Sequence, residues 1–207
     1  MRCNYFALIS LMLVKSNNII IPNRPTPEQV DANDIGISRE GKGFLSLIAD
    51  SEKALTKAIG QLQNGHDHHY YSWGNFNLVR LIAYLIKQTG PVNLLMTSYS
   101  FSKKSIEQLQ NHIDKGLILS FRVILDNRVR VMSPKPFQII MNSFNYRCIS
   151  VHAKVALLWN DQWKITIVTS QNATDNPKLE RGTIFTDEQI FNFDLNVLEN
   201  EFHRGTT

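Results

Sequence analysis

The chain has 207 residues, a length that suits one globular domain with an extension. Apolar residues make up 43% of it, which is enough for a sizeable core and too many for a disordered chain. Its two cysteines are too few for a disulfide scaffold or a cysteine zinc site, no apolar run is long enough for a membrane span, and the net charge of +4 permits an anionic partner.

The first 60 residues are predicted to form an N-terminal extension, and residues 61–207 the main domain. Residues 5–14 are an apolar run that resembles a short signal peptide, but no small-residue cleavage site follows. We therefore expect a cytoplasmic protein, with export left open by this run. Prolines and glycines interrupt residues 16–43, so at most one short strand is expected there. Apolar spacing in the later part of residues 44–62 predicts a helix that ends at Asn64-Gly65.

Strand-like and helix-like segments alternate along the rest of the chain. Strands are predicted over 69–73, 92–96, 117–125, 146–151, 154–158 and 163–169, and helices over 77–88, 102–115 and 137–144. Ser105 is a candidate cap of the second of these helices. This alternation predicts an α/β fold, with a mixed β-sheet flanked by helices on both faces. A hairpin through Asn160-Asp161 makes the sheet mixed rather than purely parallel.

Positive charge is concentrated between residues 115 and 154. This stretch contains one acid, Asp126. Such a stretch suits a polyanion or a phosphate diester, and a solvated surface explains it equally well. The seven cations are Lys115, Arg122, Arg128, Arg130, Lys135, Arg147 and Lys154.

Two short polar motifs lie at the ends of predicted neighbouring strands. His152-Ala153-Lys154 begins one strand, and Ser170-Gln171-Asn172 follows the next. Side chains two residues apart on an extended chain share a face, and the hairpin between the strands brings the motifs together. One base, one cation, one hydroxyl and one amide then predict a phosphate site with a nucleophile in it. Taken singly, each motif is better explained as a surface or turn signal.

The two motifs resemble the signature of the phospholipase D superfamily, which runs His-x-Lys, Asp, Gly-Ser-x-Asn and a later Glu. Glu180 follows Asn172 at nearly the family spacing, and residues 182–185 fit the strand expected there. The resemblance covers residues 68–200 and implies one half-domain of this fold. The chain departs from the pattern in two main ways: Trp159 occupies the place of the Asp, and the stretch from Lys154 to Ser170 is three residues longer than in the family. Thr169 in place of the Gly is a milder variation.

The resemblance implies a role for each matched residue. His152 is expected to attack phosphorus and form a phosphohistidine, while Lys154 and Asn172 bind the non-bridging oxygens. Ser170 is expected to assist through hydrogen bonding, and Glu180 to accept from the far ring nitrogen of His152. No metal or other cofactor is implied, because lysine and amide donors neutralise the developing charge.

A single His-x-Lys motif resembles the bacterial endonucleases of this superfamily that build one site from two subunits. The expected protein is therefore a homodimer, in which His152 of each subunit faces the other. The basic stretch and the small size favour DNA or RNA as substrate. The alternatives are hydrolysis of a phospholipid or another small phosphodiester, and a nucleic-acid- or phosphate-binding module without turnover.

Residues 66–75 carry two further candidate features. His66-Asp67-His68-His69 has the composition of a metal site, but an exposed polar loop is the favoured interpretation because no distant further ligand is evident. Trp73-Gly74-Asn75 is expected either to line the cleft or to begin a helix, with Asn75 as its cap.

Overall fold

The computed structural model describes residues 34–40, 44–47 and 51–207, with side chains from Glu52 onward. These residues form nine strands and six helices. The strands are β1 Asp34–Glu40, β2 Phe44–Leu47, β3 His66–Ser72, β4 Val92–Ser98, β5 Ile118–Asp126, β6 Asn145–Ile149, β7 Val155–Trp159, β8 Lys164–Thr169 and β9 Glu180–Phe185. The helices are α1 Ser51–Ala58, α2 Leu78–Thr89, α3 Lys103–Asp114, α4 Val129–Met132, α5 Pro134–Ser143 and α6 Glu188–Arg204.

The described strands form one mixed sheet in the order β2-β1-β3-β9-β8-β7-β4-β5-β6. Strands β4, β5 and β6 are parallel to one another, and every other neighbouring pair is antiparallel. The carboxyl ends of β3, β4, β5, β6 and β8 therefore lie at one edge of the sheet, together with the starts of β7 and β9. We call this the upper edge. Loops at the carboxyl ends of parallel strands are where α/β sheets commonly bind ligands.

Helices pack on both faces of the sheet, as predicted. Alternation along β4 shows this directly: Leu94 and Met96 join the larger core cluster, while Leu95 faces the smaller one. The larger cluster also contains apolar residues of α1, α2, α3 and α5. The smaller cluster contains Phe191 and Phe202 of α6. The α/β fold with a mixed sheet is thereby confirmed.

Two helices begin at polar caps that differ from the predicted ones. Asn77, rather than Asn75, caps α2, and its side-chain oxygen accepts from the Arg80 N–H at 3.0 Å. Ser102, rather than Ser105, caps α3, and its hydroxyl accepts from the Ser105 N–H at 3.1 Å. In both cases the cap is the residue just before the first helical turn, where unpaired N–H groups need an acceptor.

The prediction of an exposed polar loop at residues 66–69 is wrong. These residues begin β3, which pairs with β1 on one side and β9 on the other. His68 faces the core and is 1% exposed. Two-sided pairing draws this polar segment into the sheet, because its backbone groups are satisfied by both neighbours. Within the described residues, no group of three or more His, Cys, Asp or Glu side chains is arranged to hold a metal ion.

Residues before position 60 contribute to the same sheet as the rest. Strands β1 and β2 and helix α1 belong to the unit Ala32–Thr207, and Ala54 and Leu55 lie in the core. The domain division near residue 60 stays a prediction, and the apolar run at 5–14 lies outside the described residues. Among the helices that the structure describes, none has the length and apolar character required to cross a membrane.

Candidate active site

His152 and Lys154 lie in an extended segment that enters β7 at the upper edge. The strand itself begins one residue later than predicted, at Val155. Thr97 of β4 fixes this segment: its hydroxyl donates to the Ala153 carbonyl at 2.7 Å and accepts from the Val155 N–H at 3.0 Å. A buried side chain thus supplies hydrogen bonds on both sides of Lys154 and holds the motif in place.

Lys154 is buried while His152 is exposed. Lys154 is 6% exposed, and its ammonium donates to the His152 carbonyl at 2.7 Å. It lies 3.3 and 3.4 Å from the two ring nitrogens of His152. Burial lowers the pKa of Lys154, and the negative charge of Glu180 acts in the opposite direction. The cation and the ring therefore form one compact group that opens to solvent on the histidine side.

Ser170 reaches the same edge through the β7–β8 ladder. The Thr169 N–H donates to the Lys154 carbonyl at 3.0 Å, which sets the end of β8 beside the His-x-Lys segment. The Ser170 hydroxyl donates to the Glu180 carboxylate and accepts from the Arg181 N–H at 3.0 Å. Ser170 and Glu180 are thereby joined across neighbouring strands.

The Glu180 carboxylate accepts hydrogen bonds from Ser170 and Asn176 instead of the expected one from His152. Its second carboxylate oxygen accepts from the Asn176 side-chain amide at 2.6 Å. No hydrogen bond joins it to His152 within the described part of the chain. Both carboxylate oxygens are instead occupied by Ser170 and Asn176, and the charge of Glu180 acts on Lys154 through space.

Asn172 is held in a fixed orientation at the upper edge by the loop after β4. Its side-chain oxygen accepts from the Tyr99 N–H at 3.2 Å, which fixes the orientation of the amide because a backbone N–H can only donate. Its backbone carbonyl also accepts from the Leu78 N–H at the start of α2, at 3.4 Å. The free end of the amide is a donor, as an anion site requires.

Tyr99 is a site residue that sequence reasoning missed. It follows β4, and its ring centroid lies 5.5 Å from that of His152 and 5.8 Å from the Lys154 ammonium. The Arg128 guanidinium lies 4.8 Å from the same ring. Only its position in a polar loop after a buried strand could have pointed to it.

Comparisons with known proteins add to this geometry. No protein-family model matches the chain, and no curated protein matches its sequence. Among solved structures, NucT from Helicobacter pylori superposes with a TM-score of 0.51 at 13% identity, over 68% of this chain and 98% of its own. NucT is a nuclease of the phospholipase D superfamily. The chain has the phospholipase D-like fold.

Two larger proteins with this fold also match. Polyphosphate kinase from Porphyromonas gingivalis gives a TM-score of 0.49 at 14% identity, and phosphatidylserine synthase from Haemophilus influenzae gives 0.45 at 14% identity. They cover 65% and 68% of this chain. The chain spans 26% and 39% of their lengths.

The residue that departs most from the phospholipase D signature lies away from the upper edge. Trp159 ends β7, about 16 Å along the extended chain from Lys154. Its ring packs against Phe191 of α6, with centroids 5.9 Å apart. Asp161 lies in the adjoining hairpin turn, at the end of the sheet opposite the upper edge. Neither residue contacts the site, and Trp159 serves the packing of α6.

The basic stretch does not form one continuous surface on this phospholipase D-like fold. Arg122 makes two hydrogen bonds to Glu199 of α6, at 2.5 and 2.6 Å, and Arg147 lies over the Phe202 ring of the same helix. Arg128 and Lys154 instead belong to the upper edge. Four of the seven cations thus divide between the packing of α6 and the site.

Proposed function

We propose that this protein is a metal-independent phosphodiesterase that cleaves nucleic acid through a phosphohistidine at His152. The observation that carries the proposal is the convergence of His152, Lys154, Ser170, Asn172 and Glu180 at the upper edge of a phospholipase D-like sheet. The sharing of this fold with the nuclease NucT supports the same assignment.

His152 is the nucleophile. A ring nitrogen attacks phosphorus, a P–N bond forms, and the bond to the leaving oxygen breaks. Attack requires the neutral imidazole, in which one ring nitrogen is unprotonated and carries the lone pair that forms the new bond. The Lys154 ammonium lies beside the ring, at 3.3 and 3.4 Å from its two nitrogens. Water then attacks the phosphohistidine: a P–O bond forms, the P–N bond breaks, and the imidazole is regenerated. The proton of the water passes to a second histidine, which gave its own proton to the leaving oxygen.

Lys154 and Asn172 bind the non-bridging oxygens. Lys154 supplies a buried positive charge, and Asn172 an amide nitrogen whose direction is set by Tyr99. Both groups are in place before the substrate arrives, so they stabilise the extra negative charge of the transition state without reorganising. Ser170 and Glu180 hold the neighbouring strand end and compensate the buried lysine.

A second copy of the chain completes the site. The leaving oxygen needs a proton, and no other imidazole contacts His152 among the described residues. His152 is exposed at the upper edge, where His152 of the second copy can approach it. Exposed apolar side chains near this edge favour coverage by another surface: Trp73 is 42% and Leu179 53% exposed. We therefore propose a homodimer in which one histidine attacks and the other protonates.

A nuclease assay in excess EDTA tests the chemistry. Labelled single- and double-stranded DNA are incubated with the native protein, with His152→Ala and with His203→Ala, which alters an exposed histidine of α6. We expect cleavage by the native protein and by His203→Ala, and none by His152→Ala. Equal cleavage by all three, or loss of cleavage on chelation, contradicts the mechanism.

Mixing of subunits tests the shared site. Native and His152→Ala chains are refolded together at several ratios, and activity is measured against the native fraction. If each site needs two histidines, activity falls with the square of that fraction. A linear fall means that each chain acts alone and contradicts the shared site.

Hydrolysis of a phospholipid is the second candidate. Val131 and Met132 follow Arg128 on α4 and are 83% and 65% exposed, which would suit contact with a lipid surface. Phosphatidylcholine vesicles in the same EDTA assay separate the two candidates. Binding of DNA with a steep salt dependence, but without cleavage of either substrate, would instead identify a binding module.

A further inference from the structure

A second cation of the upper edge, Arg128, is held in a fixed position. Its Nε donates to the Asp126 carboxylate at 2.7 Å and its Nη2 to the other oxygen at 3.3 Å. Its guanidinium lies 4.8 Å from the centroid of the Tyr99 ring. A carboxylate on one side and an aromatic face on the other remove most of the freedom of a long side chain, which lowers the entropy lost on binding a ligand.

Asp126 connects this cation to the segment that carries the nucleophile. The Asp126 side chain is 3% exposed, and it also accepts from the backbone N–H groups of Arg128, at 3.0 Å, and of Val151, at 3.2 Å. The hydrogen bond from the Arg128 side chain is the largest of the effects that lower the pKa of Asp126. One carboxylate thus fixes both the arginine and the residue before His152.

Arg128 still has donors to offer. Its side chain is 61% exposed, and Asp126 occupies only the Nε and Nη2 side of the fork. A guanidinium has five N–H donors, and those on Nη1 make no hydrogen bond to the described residues. Arg128 and His152 both contact the Tyr99 ring, so the exposed donors lie at the same edge of the sheet as the nucleophile, one aromatic ring away from it.

We infer that Arg128 binds a phosphate adjacent to the one that His152 attacks, so that the substrate is a polynucleotide rather than an isolated phosphodiester. The inference rests on the proposed function. Lys154 and Asn172 already serve the reacting phosphate, so the donors of Arg128 that Asp126 does not use are left for a second anion. In a polynucleotide the neighbouring phosphate is that anion, and the planar fork matches its oxygens.

The first test compares a long substrate with a short one. The kcat/KM in EDTA is measured for a single-stranded 12-mer and for bis(4-nitrophenyl) phosphate, which has one phosphate and no neighbour. The ratio of interest is kcat/KM for the 12-mer divided by kcat/KM for bis(4-nitrophenyl) phosphate. We expect Arg128→Ala to lower this ratio about ten-fold, and Arg128→Lys to lower it less because the charge remains. Arg130→Ala is the matched control, since Arg130 is an exposed cation two residues after Arg128, and its guanidinium lies over the Phe137 ring instead of the Tyr99 ring. Its ratio should equal the native one.

The second test measures binding and does not require cleavage. In a His152→Ala background, binding of the 12-mer is measured by fluorescence anisotropy at several salt concentrations. Arg128→Ala should reduce the slope of log affinity against log salt by about one, as expected for the loss of one phosphate contact. Arg130→Ala should leave this slope unchanged. Thermal melts establish that each variant is folded.

The outcomes separate this inference from the proposed function. If the native protein cleaves DNA but the ratio and the slope are the same in Arg128→Ala, the inference is wrong and the nuclease assignment stands. If the native protein cleaves nothing but Arg128→Ala alone reduces the slope, the phosphate subsite stands and the nuclease assignment fails. Equal effects of Arg128→Ala and Arg130→Ala, or no binding by any variant, overturn the subsite.

Discussion

Gly182 of β9 leaves the space that Tyr70 of β3 occupies. The two residues are paired across the strands, and a Cβ at position 182 would lie 2.6 Å from the Tyr70 Cε1 and closer still to its hydroxyl oxygen. The Tyr70 ring has little room to move, because it is 1% exposed and packs against Phe76 at a centroid distance of 5.5 Å. Gly182→Ala therefore forces a buried ring out of its place.

The expected loss of stability follows from these contacts. Overpacking of a core typically costs about 1–3 kcal/mol. The Tyr70 hydroxyl also donates to Gln171 at 2.8 Å and lies 3.1 Å from the Thr169 hydroxyl, and each lost hydrogen bond adds roughly 0.5–1.5 kcal/mol. The total of roughly 2–6 kcal/mol is a large part of the ~5–15 kcal/mol by which domains are stable. Because Thr169 and Gln171 flank Ser170, the displacement should also disturb the site.

Urea denaturation with a double-mutant cycle checks this reasoning. Gly182→Ala is measured in the native background and in Tyr70→Val, where no ring is present to collide. The substitution should lower the free energy of unfolding in the first background and leave it nearly unchanged in the second. A loss below about 1 kcal/mol in the native background, or the same loss in both, would refute the assignment of the loss to this contact.

Three further predictions concern residues other than the proposed catalytic residues. Burial lowers the pKa of His68 below its ordinary value of 6.5, so the unfolded chain takes up the proton more readily. Stability should therefore be complete above pH 6.5 and fall as the pH drops below it, a trend that urea titrations should show and that His68→Leu should flatten. Gly74→Ala places a Cβ 2.7 Å from the Pro177 Cα at a φ of 80°, which should displace the loop holding Asn176 and reduce cleavage. Gly65→Ala is the control for this substitution: with a φ of 76° and open space around the new Cβ, it should show only the backbone strain of ~1–2 kcal/mol in a urea titration. Trp159→Asp should lower stability by roughly 2–5 kcal/mol through lost packing while kcat on DNA stays at the native value, and a changed kcat would show that this position acts on the site.

The alternation of strands and helices between residues 69 and 169 could be predicted because the signals of these elements are local, whereas α6 at Glu188–Arg204 was missed. Apolar spacing marks α2 and α3, and β4 and β5 are short apolar runs between turn signals. The start of β3 could not be predicted, since His66–His69 is polar and becomes a strand through pairing on both sides. Pairing partners distant in the chain leave no local pattern, and for the same reason the roles of β1 and β2 were missed.

The candidate site could be predicted in part because its two motifs lie close in sequence on adjacent strands. His152, Lys154, Ser170 and Asn172 are joined by one hairpin, so strand alternation was enough to bring them together. Tyr99 was missed because its contact with Asn172 joins the loop after β4 to the segment after β8, which is distant in the chain. Asn176 was missed because it contacts Glu180 within an irregular loop that has no periodic pattern. The expected bond from His152 to Glu180 is replaced for a similar reason: the Asn176 loop, held against Gly74, occupies the carboxylate.

The burial of Lys154 explains why the fold assembles so many fixed partners at this edge. An ammonium taken out of water is unfavourable unless acceptors and negative charge replace the lost solvent. The His152 carbonyl supplies one acceptor, and Glu180 supplies charge without a direct bond to the lysine. Ser170 and Asn176 keep Glu180 in place, so its negative charge acts on the Lys154 ammonium from a distance. A phosphate oxygen entering beside His152 would give the ammonium the close anion that it lacks, and the attraction would grow as negative charge develops on that oxygen during attack.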